Sequence, residues 1–298
     1  MKQLKAKVAV ITGAGSGIGA AMALRFGAAG MKVVVSDIAL DAAQAVVAKL
    51  ALLGVEACAV RTDVADAAQV EALAEAAYAR FGAVHLLCNN AGVVPAGRHR
   101  MVWEYPLEDW HWANSVNYMG VVHGIRSFVP RMLAAGAEGH VVTTASIQGL
   151  VSAAGSVTYG AAKHAAVAIT EALYAGLIER QAPIGVTLLC PGVVNTRIYE
   201  SERNRPAEFQ PDAGAAQEAP ALQAMAGQIY GGAIGPDAVA EQVLQAVLDN
   251  RLYLLTTDVF DEAIHERLDA VLARRNPHFK SLLSLSQRDQ RKTSGEHA

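Results

Sequence analysis

"KVAVITGAGSGIG", Lys7 to Gly19, runs four apolar residues, Val8 to Ile11, into a turn that holds Gly13, Gly15, Gly17 and Gly19. An Ala-rich stretch with helical character, Ile18 to Ala29, follows at once. A strand, a glycine turn and a helix in that order let the backbone approach a pyrophosphate: glycine has no Cβ, and the helix N-terminus offers unpaired NH groups with a partial positive charge. The candidate contacts are Gly13, Gly15, Ser16, Gly17, Ile18 and Gly19. A plain tight turn also uses glycines, so the decision rests on what comes next in the chain.

The next apolar run, "KVVVSD", ends on Asp37, 18 residues after Gly19. A carboxylate at that point can accept hydrogen bonds from both ribose hydroxyls of an adenosine half and would repel a 2'-phosphate. Ser16 and Ile38 supply no competing cation. The pattern therefore predicts NAD(H) in preference to NADP(H), the other reading of Asp37 being an N-cap of the following helix.

The same alternation continues: Leu40 to Leu53, "EACAVRTD", Ala67 to Phe81, "VHLLCNNAG", Leu107 to Ala135, "HVVTTAS", Ser156 to Arg180 and "IGVTLLCPG". Repeated βα units predict a parallel sheet with helices on both faces, and strands that are apolar on consecutive residues are what burial on both faces requires. Gly30, Gly54 and Gly82 follow three of the helical runs, where C-cap glycines belong. The expected fold is α/β, a single doubly wound Rossmann-type parallel sheet in one domain over residues 1–280. Residues 195–232, rich in Ala, Gln, Glu and Pro, are expected to form a mobile segment with short helices over the ligand crevice. A helix from Pro236 to Asn250, the strand "LYLLTT" and a C-terminal helical extension from Asp258 to about Arg275 follow, and the polar residues 281–298 are expected to fray.

A formal charge of -3 gives no field that recruits nucleic acid or anionic lipid. No segment approaches the roughly 20 apolar residues that span a bilayer. The apolar run at Val8 to Ile11 is too short for a signal-peptide core. Cys58, Cys88 and Cys190 are odd in number, lack CxxC spacing and read as buried reduced thiols, so a cytoplasmic protein with no nucleic-acid or membrane partner is expected. The nine histidines show no metal-ligand spacing, and no metal site is expected. "MVWEYPLEDWHWANSV" carries Trp103, Trp110 and Trp112, which read as packing at a helix entry rather than as an aromatic substrate clamp.

"SVTYGAAKHAAV", Ser156 to Val167, sets Tyr159 and Lys163 four residues apart in an Ala-rich helix, hence on one face. Read alone, the pair is a packed phenol beside a snorkelling lysine. Thirteen residues before Tyr159, however, "HVVTTAS" ends on Ser146, and "NSVNYMG" contains Asn117. Together with Thr12 to Gly19, Asp63, the "NNAG" of Asn89 to Gly92 and the "PG" of Pro191 and Gly192, these residues resemble the short-chain dehydrogenase/reductase family over about residues 5 to 198.

The resemblance implies catalysis by Asn117, Ser146, Tyr159 and Lys163, with Tyr159 as general acid/base, Ser146 on the substrate oxygen, Lys163 also on the nicotinamide ribose and Asn117 helping to hold a water that links the lysine to solvent. Free tyrosine, with a pKa of about 10, is a weak base at neutral pH, and a neighbouring ammonium with the positive nicotinamide is expected to lower it. By the same resemblance Asn89, Asn90, Ala91 and Gly92 line the adenosine and ribose, and Asp63 with Val64 meets the adenine. Pro191, Gly192, Val194 and Thr196 border the nicotinamide. Asp63 as a turn or helix cap, and Thr196 as a solvated hydroxyl, remain open.

The expected substrate lining is Val94, Gln148, Val151 and Tyr199, with Val93, Leu150, Phe209 and Met225 nearby, mainly apolar with one amide. It suggests a secondary alcohol or ketone bearing a bulky, aromatic or alicyclic group. In the family, helices corresponding to Leu107 to Ala135 and Ser156 to Arg180 pair between subunits, which implies a homodimer or homotetramer. A non-catalytic NAD(H)-binding redox sensor has no need of the serine, tyrosine, lysine and asparagine together; dehydratases and epimerases share the fold and would show no net NADH formation.

Overall fold

Seven strands, β1 (Val8–Thr12), β2 (Lys32–Asp37), β3 (Ala57–Arg61), β4 (Leu86–Asn89), β5 (Gly139–Thr144), β6 (Ile184–Cys190) and β7 (Tyr253–Leu255), pair in parallel in the order β3-β2-β1-β4-β5-β6-β7. The computed structural model describes residues 1–95, 100–152, 156–210, 227, 230–279 and 284–289. Met225, His99, most of the segment 211–229 and the tail 290–298 lie outside them.

β1 and β5 are buried at every residue, as their consecutive apolar runs demand, whereas the edge strands β3 and β7 are only partly covered. On one face α1 (Gly17–Ala28), α2 (Leu40–Leu52) and a helix at Pro236–Asp249 close over Ile11, Val33, Val35 and Leu189. On the other, α3 (Ala67–Phe81), the helix Gly120–Ala135 and the helix Val157–Glu179 cover Val10, Val34, Leu87 and Val186. In chain order, after α3, the helices are α4 (Leu107–Asn114), α5 (Gly120–Ala135), α6 (Val157–Glu179), α7 (Pro236–Asp249) and α8 (Asp261–Ala273). Gly30, Gly54 and Gly82 all have positive φ just past their helices, as C-cap geometry requires.

The helical run expected from Leu107 to Ala135 is continuous but not uniform: Ser115–Met119 winds as a π-helix between α4 and α5. π-Turns insert an extra residue and re-aim the side chains around them. At the C-terminus, residues 284–289 are helical where the composition suggests fraying. Leu285, 2% exposed, packs with Ile147 and Phe260, so an apolar anchor in an otherwise polar stretch ties it down. No helix among the described residues is long and apolar enough to cross a membrane.

β1 pairs with β2 on one side and β4 on the other, so the strand order reverses there. In such sheets ligands bind beyond the carboxyl ends of the strands at the reversal. Thr12, Asp37, Asn89, Thr144 and Cys190 all close their strands at that edge.

Candidate active site

A cleft of about 510 Å³ opens over the carboxyl edge of the sheet. Its first wall is the glycine turn. Gly13 and Gly17 have φ of +61° and +54°, and a Cβ on Gly13 would stand 2.7 Å from Ala91 Cα. A Cβ on Gly19 would collide with the Gly13 carbonyl and lie 2.5 Å from Asn90 Nδ2. Gly19 is therefore required for close packing and does not itself line the cleft, while Gly13, Gly15, Ser16, Gly17 and Ile18 do.

Asp37 holds that turn directly, its Oδ2 accepting from the Gly15 NH at 2.8 Å and its Oδ1 from the Ala39 NH at 3.0 Å. A carboxylate has about four acceptor positions, so lone pairs remain for ribose hydroxyls. Asp37, Ile38, Asp63 and Val64 all border the cleft. Asp63 Oδ1 also closes a turn onto the Ala65 NH at 2.9 Å, whereas the N-cap of α3 is Asp66, which accepts from Ala68 and Gln69.

Of the two adjacent asparagines only Asn90 reaches the cleft. It donates to the Thr12 carbonyl at 3.0 Å and accepts from Thr144 Oγ1 at 3.0 Å, tying β1 to β5. Thr12 Oγ1 in turn accepts from the NH groups of Asn90 and Ala91 at 3.0 and 3.2 Å. Asn89, expected to line the adenosine, instead buries its amide under the sheet against Gly124, because successive strand residues point to opposite faces. Ala91 and Gly92 do line the cleft.

The second wall is reactive. Ser146 stands just past β5 and caps the short turn after it, accepting from Gln148 NH at 3.1 Å, and it lines the cleft together with Tyr159. Tyr159 sits in the first turn of α6, where the helix end favours negative charge. Lys163 lies one turn on, its Nζ 5.5 Å from the Tyr159 ring centroid and donating to the Thr144 carbonyl at 2.8 Å. Both side chains are buried.

Burial raises the Tyr159 pKa, opposed first by the polar Ser146 side chain. Burial also lowers Lys163 to about 8. In this dry site desolvation dominates, and the phenol's acidity depends on what further positive charge enters the cleft.

Asn117 lies outside the cleft, fully buried in the π-turn, where Oδ1 accepts from Val93 NH at 2.9 Å and Nδ2 donates to Val93 O at 2.8 Å. Its side chain is committed to fixing the chain beside Gly92, and none of it faces the cleft. Val93, Val94, Gln148 and Phe209 line the cleft as expected, and so do Pro191, Gly192, Val194 and Thr196. Val151 and Leu150 do not: Val151 is buried toward Leu285 and Arg267. Tyr199 does not line the cleft: its ring lies 5.3 Å from that of Tyr230 at a tilt of 34°, and Tyr230 takes the cleft position.

The segment after β6 covers the cleft with two short 3-10 helices, Ile198–Asn204 and Ala207–Phe209. Arg205 locks it down, pairing with buried Asp109 of α4 through Nη1 at 2.8 Å and lying 4.6 Å over the Trp112 ring. Both charged side chains are at most 4% exposed. Burial raises Asp109 despite the guanidinium. Of the three tryptophans expected to pack, Trp112 does so and is also part of the cleft wall, whereas Trp103 is exposed.

The same segment brings Arg197 and Arg203 to the cleft. Burial is the main reason for the lowered pKa of Arg203, with repulsion from Arg197, and attraction to Glu200 and Asp37 opposes it. Arg203 Nη1 donates to the Arg197 and Glu200 carbonyls at 2.9 and 2.7 Å, so a cation shares the cleft with Asp37 from about 166 residues farther along, where no local pattern could announce it. Among the described residues no group of three or more His, Cys, Asp or Glu is placed to hold a metal ion.

Against known proteins, the chain matches the short chain dehydrogenase family over residues 7–207. It is 44% identical over 194 residues to the 1-deoxy-11-beta-hydroxypentalenate dehydrogenase of Streptomyces avermitilis, spanning 65% of this chain and 70% of that protein. It is 41% identical over 190 residues to the cyclohexanol dehydrogenase of an Acinetobacter species, spanning 64% of this chain and 74% of that one. Among solved structures, a short chain dehydrogenase/reductase from Burkholderia phymatum in complex with NAD superposes with a TM-score of 0.87 at 41% identity, covering 94% of this chain and 99% of the other. Ser146, Tyr159, Lys163, Asp37 and most of the expected glycine turn meet at one cleft, and the chain belongs to the short-chain dehydrogenase/reductase family of oxidoreductases, which interconvert alcohols and ketones.

Proposed function

We propose that the protein is an NAD(H)-dependent dehydrogenase that interconverts a secondary alcohol and its ketone, the carbinol carbon bearing a bulky alicyclic or aromatic group. The observation that carries this reading is that Ser146, Tyr159 and Lys163 line one end of a cleft whose other end presents Asp37 hydrogen-bonded into the glycine turn. The donor set fits a dinucleotide: Gly13 to Ile18 beside the pyrophosphate, Asp37 on the adenosine ribose, and Lys163 with Pro191 to Val194 at the nicotinamide half.

When bound, the nicotinamide cofactor accepts or supplies the hydride; the protons are the protein's concern. Tyr159 removes the alcohol's hydroxyl proton at its phenol oxygen, or returns it to the ketone oxygen in reduction. Ser146 donates to the same substrate oxygen and fixes its direction. Lys163, held by the Thr144 carbonyl, supplies positive charge beside the phenol in its ammonium form. Asn117 acts on the chain's own shape by clamping Val93.

Val94, Trp112, Phe209, Tyr230 and Phe260 make the wall near these groups mainly apolar, with the Gln148 amide among them. A concave apolar wall with few polar groups selects by shape and buried area. The alicyclic substrates named for the Streptomyces and Acinetobacter relatives support the same class. The unpaired cysteines support a reducing, cytosolic setting. Exposed Trp103, Leu107 and Ile178, on or beside α4 and α6, support pairing of two copies through these helices.

An absorbance screen for reduced nicotinamide tests the proposal, run with NAD and with NADP over cyclic, benzylic and polyol secondary alcohols. NADH formation with the cyclic or benzylic set is expected. Turnover confined to polyols would remove the substrate class, and equal efficiency with NADP would remove the cofactor preference.

A further inference from the structure

The backbone at Pro191 to Val193 is tied down residue by residue, and none of the ties belongs to regular secondary structure. The Pro191 carbonyl accepts from the Ile147 NH at 3.0 Å, directly after Ser146. The Gly192 NH donates to Thr256 Oγ1 at 3.1 Å, and the Val193 NH donates to Asp289 Oδ2 at 3.1 Å. The last of these comes from 96 residues away, near the end of the chain.

Asp289 is 5% exposed, on the helical turn 284–289 that Leu285 anchors against Ile147 and Phe260. The fit is close: a Cβ on Gly192 would lie 2.5 Å from Asp289 Oδ2 and 2.7 Å from Thr257 Cγ2. Ser286, on the same turn, lines the cleft beside Phe260. A buried carboxylate that accepts from a backbone NH makes a charge-assisted bond, stronger in a dry setting than on a surface.

We propose that Asp289 is a positioning residue, and that the C-terminal turn 284–289 is a structural wall of the active site that fixes the Gly192–Val193 backbone against the cofactor cleft. This rests on the reading of that backbone as the border of the nicotinamide half. Asp289 touches no reacting atom; it acts through the Val193 NH, whose placement sets the geometry at the hydride-transfer end.

The experiment compares D289A and D289N with the wild-type chain by amide hydrogen exchange over residues 190–196, NADH binding by fluorescence, and steady-state kinetics. In D289A, exchange over 190–196 is expected to speed up about tenfold while the β1 to β5 core keeps its protection. The NADH dissociation constant and the cofactor KM are expected to rise about tenfold, with a smaller change in kcat. D289N, whose amide oxygen still accepts from Val193, is expected to retain most of both. Should D289A fail to fold, D289S gives the same comparison with a side chain too short to reach Val193.

Wild-type exchange over 190–196 in D289A and D289S would overturn the proposal, as would D289N failing as badly as D289A. A loss of protection spread over the whole sheet would reduce Asp289 to a general stability residue and overturn it too. If wild-type protein binds no NADH, the proposed function falls by that result, while the exchange data still decide whether Asp289 anchors the loop.

Discussion

Lys163 spends its ammonium on the carbonyl of Thr144, 2.8 Å away at the end of β5, while standing 5.5 Å from the ring of Tyr159. The bond fixes the lysine's direction, and the burial that accompanies it lowers its pKa to about 8. An ordinary lysine in the unfolded chain titrates near 10.4. Between about pH 8 and about pH 10.4 the folded protein therefore binds fewer protons than the unfolded one, so stability rises with pH across that window and the full cost is present below it. In urea titrations at a series of pH values, the unfolding free energy of wild type relative to Lys163→Met is expected to increase by about 2 kcal/mol from about pH 7.5 to about pH 10. A difference that stays flat would contradict the burial-driven shift.

Tyr159→Phe removes the acid/base oxygen and keeps the ring. Turnover in the proposed reaction is expected to fall by about 10³-fold, at the scale of general acid–base catalysis, with NADH affinity within a few-fold of wild type. Single-turnover absorbance and NADH fluorescence separate the two effects. Near-normal turnover would take Tyr159 out of the chemistry.

Asp37 and Arg203 line the same cleft, and the two make opposite demands on a 2'-phosphate. Asp37→Ser removes the repulsion and leaves the guanidinium. The NAD-to-NADP efficiency ratio is expected to fall by about tenfold to a hundredfold, the scale of one or two close charge contacts. Adding Arg203→Ala should restore part of the ratio by weakening NADP alone. A ratio unmoved by Asp37→Ser would leave cofactor choice to other residues.

Arg205 and Asp109 form a buried ion pair that latches the covering segment to α4. Arg205 has a second, more exposed partner in Glu202, so it is removal of the guanidinium that costs about 3 kcal/mol or more, by leaving the buried Asp109 carboxylate without it, whereas replacing both with apolar side chains of similar size restores much of the loss. Arg205→Met is therefore expected to lower the thermal midpoint and raise the alcohol KM, and Asp109→Leu with Arg205→Met to recover much of the midpoint. Equal damage in the single and double variants would show that the pair's charge is not what matters.

Gly19→Ala asks the Gly13 carbonyl and Asn90 to move at once. The expected loss is about 1–3 kcal/mol, as for other overpacked sites, and NADH affinity is expected to weaken with it because the same atoms shape the turn. Calorimetry and NADH titration measure the two together. A neutral result would mean that the turn has slack.

Much of the site was legible because its signals are local. The glycine turn needs positive φ at Gly13 and Gly17, Asp37 closes a strand whose register sets it beside that turn, and Tyr159 and Lys163 share a face by helical periodicity alone. The misplacements are equally physical. Asn89 and Asn90 are chemically identical neighbours, and only the pleat of β4 decides that one faces Gly124 and the other the cleft. Tyr199 and Tyr230 are separated by a segment without periodicity, and packing alone settles which ring lines the cleft. Asn117, implied by the family resemblance, sits in a π-turn and holds the Val93 backbone through both ends of its amide, a tie between distant elements that its local sequence does not announce.

The amino-acid sequence by itself determined the doubly wound sheet and the dinucleotide turn, which follow from backbone sterics and a period of a few residues, and it carried the family resemblance that singles out Ser146, Tyr159 and Lys163. Only the tertiary structure decided the electrostatic balance. Burial depth sets the phenol and ammonium acidities, Arg203 comes from a distant part of the chain to share the cleft with Asp37, and Arg205 and Asp289 likewise arrive to meet Asp109 and Val193. Those contacts depend on how elements dock across the carboxyl edge of the sheet, and no short stretch of sequence encodes that docking.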